Sequence, residues 1–179
     1  MKLKRLLPLA VMAIAFTQMA CKPDGATADA APAATGVAQE MAPDFTLPTV
    51  LDGKVFQLSQ QRGKVVLVDF WATWCPPCRM SIPHLKDLQE QYGGKDFTVV
   101  GISLDQQSER VKPFVTEWAM KYPVVNDADG AVARAYGGIR SIPTGILIDR
   151  HGKVITGFVG YRPKEEMEAL VKQALAKQD

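Results

Sequence analysis

Metal-ligating side chains are scarce in this chain, which has three cysteines and two histidines among 179 residues. A structural zinc site takes four ligands, usually as two Cys/His pairs at recognisable spacing. Here Cys75 and Cys78 have no second pair, since His84 and His151 stand far apart and Cys21 lies near the start. Clustered positive charge is also missing. The 21 Lys+Arg face 19 Asp+Glu, and no basic run is interleaved with aromatics, which excludes a nucleic-acid surface. The apolar run from Leu6 to Phe16, with Pro8 inside it, falls short of the about 20 residues a spanning helix needs. Internal repeats are absent. What remains is an ordinary globular composition, 47% apolar and 22% charged, with room for one domain and something small.

The first residues read as an address. MKLKR is a basic n-region and Leu6–Phe16 suits a signal h-region. Removing residues 1–20 takes away Lys2, Lys4 and Arg5, leaving 18 Lys+Arg against 19 Asp+Glu, a mature charge of about −1. The segment TQMAC places Cys21 directly after a small residue and resembles the lipobox of bacterial lipoproteins, with Gln18 where such motifs usually carry leucine. That resemblance implies lipidation at Cys21; the alternative is an ordinary cleaved signal or an uncleaved anchor, with Cys21 incidental. Residues 21–40 are rich in Ala, Pro, Gly and Thr without an apolar face and read as a flexible tether. A coil of that length spans about 25 Å. The expected organisation is a signal peptide over 1–20, a tether over 21–40 and one folded domain over 41–179.

Within that domain VVLVDFW (65–71) is a β-branched apolar run, expected to be a strand covered on both faces. Residues 77–92 carry Ile82, Leu85, Leu88 and Tyr92 on one side, a helix. FTVVGISL (97–104) reads as a second buried strand. Val111, Phe114, Val115, Trp118 and Tyr122 repeat with helical spacing and predict an amphipathic helix through Tyr122. TGILID (144–149) and KVITGFVG (153–160) predict a hairpin around RHG, followed by a closing helix after Pro163. Alternating strands and helices of this kind predict an α/β fold, a mixed sheet between helices.

VLVDFWATWCPPC followed by GIRSIPT (138–144) and the strand KVITGFVG resembles the thioredoxin fold. The stretch APDFTLPTVLDGKVFQLS (42–59) is similar to the TlpA/ResA branch of extracytoplasmic thiol–disulfide oxidoreductases. Cys-x-x-Cys alone is weakly specific; behind a VDFW strand and with Ile-Pro-Thr downstream it is strong. The resemblance implies a monomeric, membrane-tethered enzyme on the periplasmic side, with protein thiols or disulfides as substrates and an upstream membrane electron donor. It implies no cofactor and no metal.

The residue chemistry agrees with it. Cys75 falls where the strand ends and a helix begins, so its sulfur faces unpaired N–H groups and the positive helix end. That lowers a thiol pKa from about 8.5 to between about 3.5 and 7.5. Cys75 is therefore the expected nucleophile and Cys78, about one turn further in, the resolving thiol. Pro76 and Pro77 stiffen the loop, remove two donors, and are tolerated in a first helical turn. A copper site with His84, as in a metallochaperone, is the rival, but at about 100° per residue His84 lies about 240° around the helix from Cys78. A static staple would close too small a loop to constrain the unfolded chain. A thiol peroxidase is a further alternative, yet peroxiredoxins place Pro and Thr where this chain has Val68 and Ala72.

Asp69, inside an apolar strand, is costly to bury. It is either a strand-end acid that reaches water or, matching the buried acid of thioredoxins, a proton acceptor and donor for Cys78. Gly101 occupies the position comparable to the lysine often near that acid. By resemblance, Pro143 of Ile142-Pro143 is the cis-proline packed on the disulfide, and the Ile142 backbone pairs with an extended substrate strand. Trp71 is expected in the core and Trp74 on an exposed docking rim with Pro76. Pro83, inside the helix, should kink it. ResA-like reductases carry an acid three positions after the second cysteine; here that residue is Ser81. The specialised reduction of apocytochrome c haem-attachment thiols, a part of cytochrome c maturation, is thereby left open, and a general reductase role is expected.

Overall fold

A computed structural model describes residues 40–94 and 96–177. The signal segment, Cys21 and the tether up to residue 39 lie outside the described residues. No described helix is long and apolar enough to cross a membrane.

Two seven-residue strands form the centre, β3 (Val65–Trp71) and β4 (Phe97–Ser103), counted after a short antiparallel pair, β1 (Thr46–Pro48) and β2 (Val55–Gln57). Every residue of β3 and β4 is buried, as their unbroken apolar character requires of strands covered on both faces. The five-stranded sheet runs β5-β4-β3-β6-β7, where β5 is Val124–Asn126, β6 is Thr144–Ile148 and β7 is Val154–Val159. β5, β4 and β3 are parallel; β6 runs antiparallel to β3, and β7 antiparallel to β6. Helices α1 (Pro76–Tyr92), α2 (Val111–Glu117), α3 (Ala131–Ala135) and α4 (Lys164–Ala176) complete a thioredoxin-like α/β sandwich.

The pleat divides β3 cleanly. Val65, Leu67 and Trp71 face a core shared with Ile82, Leu85 and Leu88 of α1 and Met167 and Val171 of α4. Val66, Val68 and Phe70 face the opposite core, with Phe45, Phe56, Val132 and Ala133. Each of the Val, Leu, Ile, Met and Phe side chains among them contributes about 1.5–3 kcal/mol by leaving water. Asp69, by alternation, points to the α1 side. α1 starts at Cys75, whose side chain caps it, and continues as helix through the exposed Pro83.

The helix expected to reach Tyr122 stops at Glu117. Ala119 takes the left-handed conformation (φ 47°), and the Met120 amide donates to the Val115 carbonyl at 3.1 Å. This is a Schellman-type ending, a role that glycine usually fills. The turn frees Tyr122 from the helix and sends it into the α1-side core just ahead of β5. The predicted hairpin is present as β6–β7, its turn held by Asp149, whose carboxylate accepts the amides of His151 (2.9 Å) and Lys153 (2.7 Å).

Candidate active site

β3 delivers the short loop 72–75 to the N-terminus of α1, where Cys75 and Cys78 are joined in a disulfide with Cα atoms 5.3 Å apart. Both are buried in this oxidised state. The Cys78 amide donates to the Cys75 sulfur at 3.3 Å, so an unpaired donor of the helix start points at the sulfur, as an N-cap demands. The Ile142 carbonyl lies 3.8 Å from the same sulfur. Ile142–Pro143 is a cis peptide; Pro143 is buried and Ile142 half-buried. Trp71 is fully buried, whereas Trp74 is 62% exposed and Pro76 is exposed beside it.

Further apolar surface borders this edge. The Gly160 amide donates to the Pro143 carbonyl at 2.7 Å, which brings exposed Val159 and Tyr161 alongside the cis-proline turn. His84 packs its ring 5.7 Å from Tyr161. On the other flank of Trp74 lies a polar cleft of about 410 Å³ lined by Leu104, Asp105, Gln106, Gln107 and Arg110.

Asp69 sits mid-strand, 5% exposed. Burial alone drives its carboxyl from 3.8 to about 7, because the charged form loses its hydration without a compensating partner. Its neighbours across the sheet are both glycines, Gly101 on β4 and Gly145 on β6. A Cβ at Gly101 would meet Trp71 Nε1 at 3.0 Å and the Tyr122 ring at 3.3 Å; one at Gly145 would strike the Phe158 ring. Aromatic side chains thus close over the bare backbone on both sides of the acid.

Sequence reasoning missed a second buried acid. Asp105, 2% exposed, accepts the Thr73 amide at 2.9 Å, the Thr73 hydroxyl at 2.6 Å and the Ser103 hydroxyl at 2.7 Å. From the other side Arg79 donates through Nε (3.0 Å) and Nη2 (2.6 Å) to the Thr73 carbonyl. Thr73 is pinned at every polar atom two residues before Cys75, so the sulfur's position is over-determined. The only signal in the sequence was an acid at the end of an apolar strand. Ser81 is buried, its hydroxyl donating weakly to the Pro77 carbonyl at 3.4 Å. Among the described residues no group of three or more His, Cys, Asp or Glu could hold a metal ion.

The arrangement can exchange disulfides: a paired dithiol at a helix start, a carbonyl edge beside it and an exposed aromatic rim. Comparison with known proteins gives the same result. The Redoxin domain family matches residues 37–175. The thiol-disulfide oxidoreductase ResA of Bacillus thuringiensis subsp. konkukian is 37% identical over 132 residues, 74% of this chain and 75% of that one. The crystal structure of a thiol:disulfide interchange protein of the thioredoxin family from Chlorobium tepidum superposes with TM-score 0.71 at 38% identity. It covers 77% of this chain and 97% of its own. An exposed lipoprotein thioredoxin, Etrx1 of Streptococcus pneumoniae, gives 0.65 at 31% identity, over 73% and 99%. The chain belongs to the Redoxin family, as a ResA-like thiol–disulfide oxidoreductase of thioredoxin fold.

Proposed function

We propose that this oxidoreductase works outside the cytoplasm, tethered to a membrane, as a reductant of protein disulfides. The observation that carries the chemistry is the Cys78 amide aimed at the Cys75 sulfur at the start of α1. In the reduced state that donor and the helix end stabilise a Cys75 thiolate. The thiolate attacks one sulfur of the substrate disulfide; the other leaves as a thiolate and takes a proton from solvent. Ionised Asp69 takes the proton from Cys78. The Cys78 thiolate attacks Cys75 and releases the second substrate thiol, protonated from Asp69, and two electrons have passed to the substrate. A donor dithiol, supplied through an upstream membrane electron donor, reopens Cys75–Cys78.

The substrate lies as an extended strand against the Ile142 carbonyl and Pro143, with Trp74 and Pro76 as apolar rim. Main-chain pairing of this kind binds with little side-chain selectivity, which suits a general reductase. Buried Ser81 offers no carboxylate beside the thiols, and a general role is favoured over a dedicated one on apocytochrome c. The order of basic residues, apolar run, Ala20-Cys21 and tether supports a lipid on Cys21.

The reduction potential of Cys75–Cys78 in defined glutathione ratios tests the direction. A value near or below about −250 mV is expected, and one near about −120 mV would make the protein an oxidant. Intact-mass analysis of protein from membranes tests the anchor: a chain beginning at a diacylglyceryl-modified Cys21 is expected, and an unmodified Cys21 thiol rejects it.

A further inference from the structure

Three polar groups on the α1 side of the sheet surround one missing side chain. Asp69 is paired with Gly101, and the two positions share a face with Trp71. Over the bare Cα of Gly101 stand Trp71 Nε1 and the Tyr122 ring. Tyr122 Oη and Trp71 Nε1 are both buried and have no hydrogen-bond partner within the protein. Burial, and then the Asp69 carboxylate acting on it electrostatically, hold the Tyr122 phenol well above its ordinary value. Buried polar atoms in folded proteins are nearly always paired, with protein or with an enclosed water. Two orphaned donors beside one uncompensated acid are complementary. Neutral Asp69 in the oxidised enzyme needs little from them; ionised Asp69, the form that accepts the Cys78 proton, needs both.

We infer that Tyr122 is a positioning residue for the proton step: its hydroxyl, with Trp71 Nε1–H beside it, hydrogen-bonds the ionised Asp69 carboxylate, directly or across one bridging water. This rests on the reading of Asp69 as proton acceptor for Cys78. Other titratable groups facing Asp69 are few. α1 presents Cys75 and Cys78, β6 and β7 present Gly145 and Phe158, and α4 presents Met167 and Val171. Of the charges on α1 and α4, Lys164 pairs with Asp87 (2.7 Å) and Lys172 with Glu168 (2.8 Å) at the surface, while Arg79 donates to the Thr73 carbonyl and Lys86 to the Trp118 carbonyl (2.9 Å). The hydroxyl of Tyr122 is therefore the group through which the protein sets the pH at which Asp69 accepts a proton, in the place where the sheet carries no cation.

Tyr122→Phe removes the hydroxyl and keeps the ring that packs on Gly101. The test follows the Asp69 carboxyl band by infrared difference spectroscopy across pH, and in parallel the pH profile of insulin-disulfide reduction. Tyr122→Phe should move the Asp69 titration up by about one unit, the effect of losing a hydrogen bond to a charged group. Turnover at the wild-type titration midpoint should then fall about five-fold and recover about two pH units above it, as the smaller ionised fraction dictates. A merely structural role would lower the rate at every pH alike. Asp69→Asn separates the two readings. If that variant keeps the wild-type pH profile, Asp69 is no proton acceptor. If it flattens the profile while Tyr122→Phe leaves both titration and profile in place, Tyr122 has no part. Should Tyr122→Phe fold poorly, wild-type protein with ring-labelled tyrosine decides: a tyrosine C–O band must shift in step with the Asp69 carboxyl, and a band indifferent to it overturns the inference.

Discussion

Replacing Asp69 by asparagine in the oxidised protein should make folding more stable, and increasingly so as pH rises. The carboxyl titrates near 3.8 in the unfolded chain and near 7 when buried on the α1 side of the sheet, beside the glycines and the rings that cover them. Because the folded value is raised, the native state binds a proton that the unfolded state has released. Stability therefore falls with pH, beginning near pH 4 and finishing just above pH 7. A difference of about three units at about 1.4 kcal/mol each makes the full cost about 4 kcal/mol above pH 7. The Asp69→Asn variant carries no such cost, since an amide does not ionise. The oxidised state is the right one to measure, because the disulfide removes Cys75 and Cys78 from the titration. Urea unfolding of wild type and Asp69→Asn at intervals from pH 4 to pH 8 gives the comparison. The variant's advantage should grow by about 3–4 kcal/mol across that range, with most of the change below pH 7. Two stability curves that run parallel throughout would show that Asp69 is not desolvated, and both the titration and the proton-transfer role built on it would fall.

The other expectations concern the cysteines, the loop that holds them and the end of α2. Cys75→Ser should abolish disulfide reduction, and Cys78→Ser should accumulate a mixed disulfide through Cys75, visible on non-reducing gels; faster alkylation of Cys78 than of Cys75 at mildly acidic pH would reverse the assignment. Asp105→Ala strands the buried amide and hydroxyl of Thr73 and the hydroxyl of Ser103, which should cost about 3 kcal/mol in urea unfolding. It should also shift the Cys75–Cys78 potential; an unchanged potential would mean that Thr73 does not set the sulfur's position. Ala119→Gly places the residue best suited to a left-handed turn at an exposed helix end, and should raise stability by about 0.5–1 kcal/mol. A loss of stability would show that the turn is not strained.

The fold was legible where burial leaves one solution. VVLVDFW and FTVVGIS are too apolar for an edge and too short for a helix, and both became central strands. Three-residue strands such as β1, β2 and β5 carry no period of their own, because their partners define them. The helix predicted through Tyr122 shows the limit of periodicity. Val111, Phe114, Val115 and Trp118 keep their spacing, but a left-handed alanine has no sequence signature as glycine does, so the termination was invisible.

The site divides along the same line. Cys75, Cys78 and Ile142-Pro143 stand in short motifs whose neighbours in sequence are also their neighbours in space. Asp69 was conspicuous because a carboxyl in an apolar strand contradicts its surroundings. What makes that acid tolerable was not conspicuous, since it depends on register. Gly101 and Gly145 become its neighbours only once β4 and β6 pair with β3, and Tyr122 faces it only because Ala119 turned the chain out of α2. Asp105 was hidden for the same reason: its partners Thr73 and Ser103 converge only when β3 and β4 end side by side. A glycine on each side of a buried acid leaves the sheet without side chains to shield the charge, and aromatic rings from β7 and the segment before β5 close the space instead. The low polarity that makes Asp69 expensive to the fold is thus supplied by the rings that close over the two glycines, and lost stability and a carboxyl that titrates near neutrality have one structural cause.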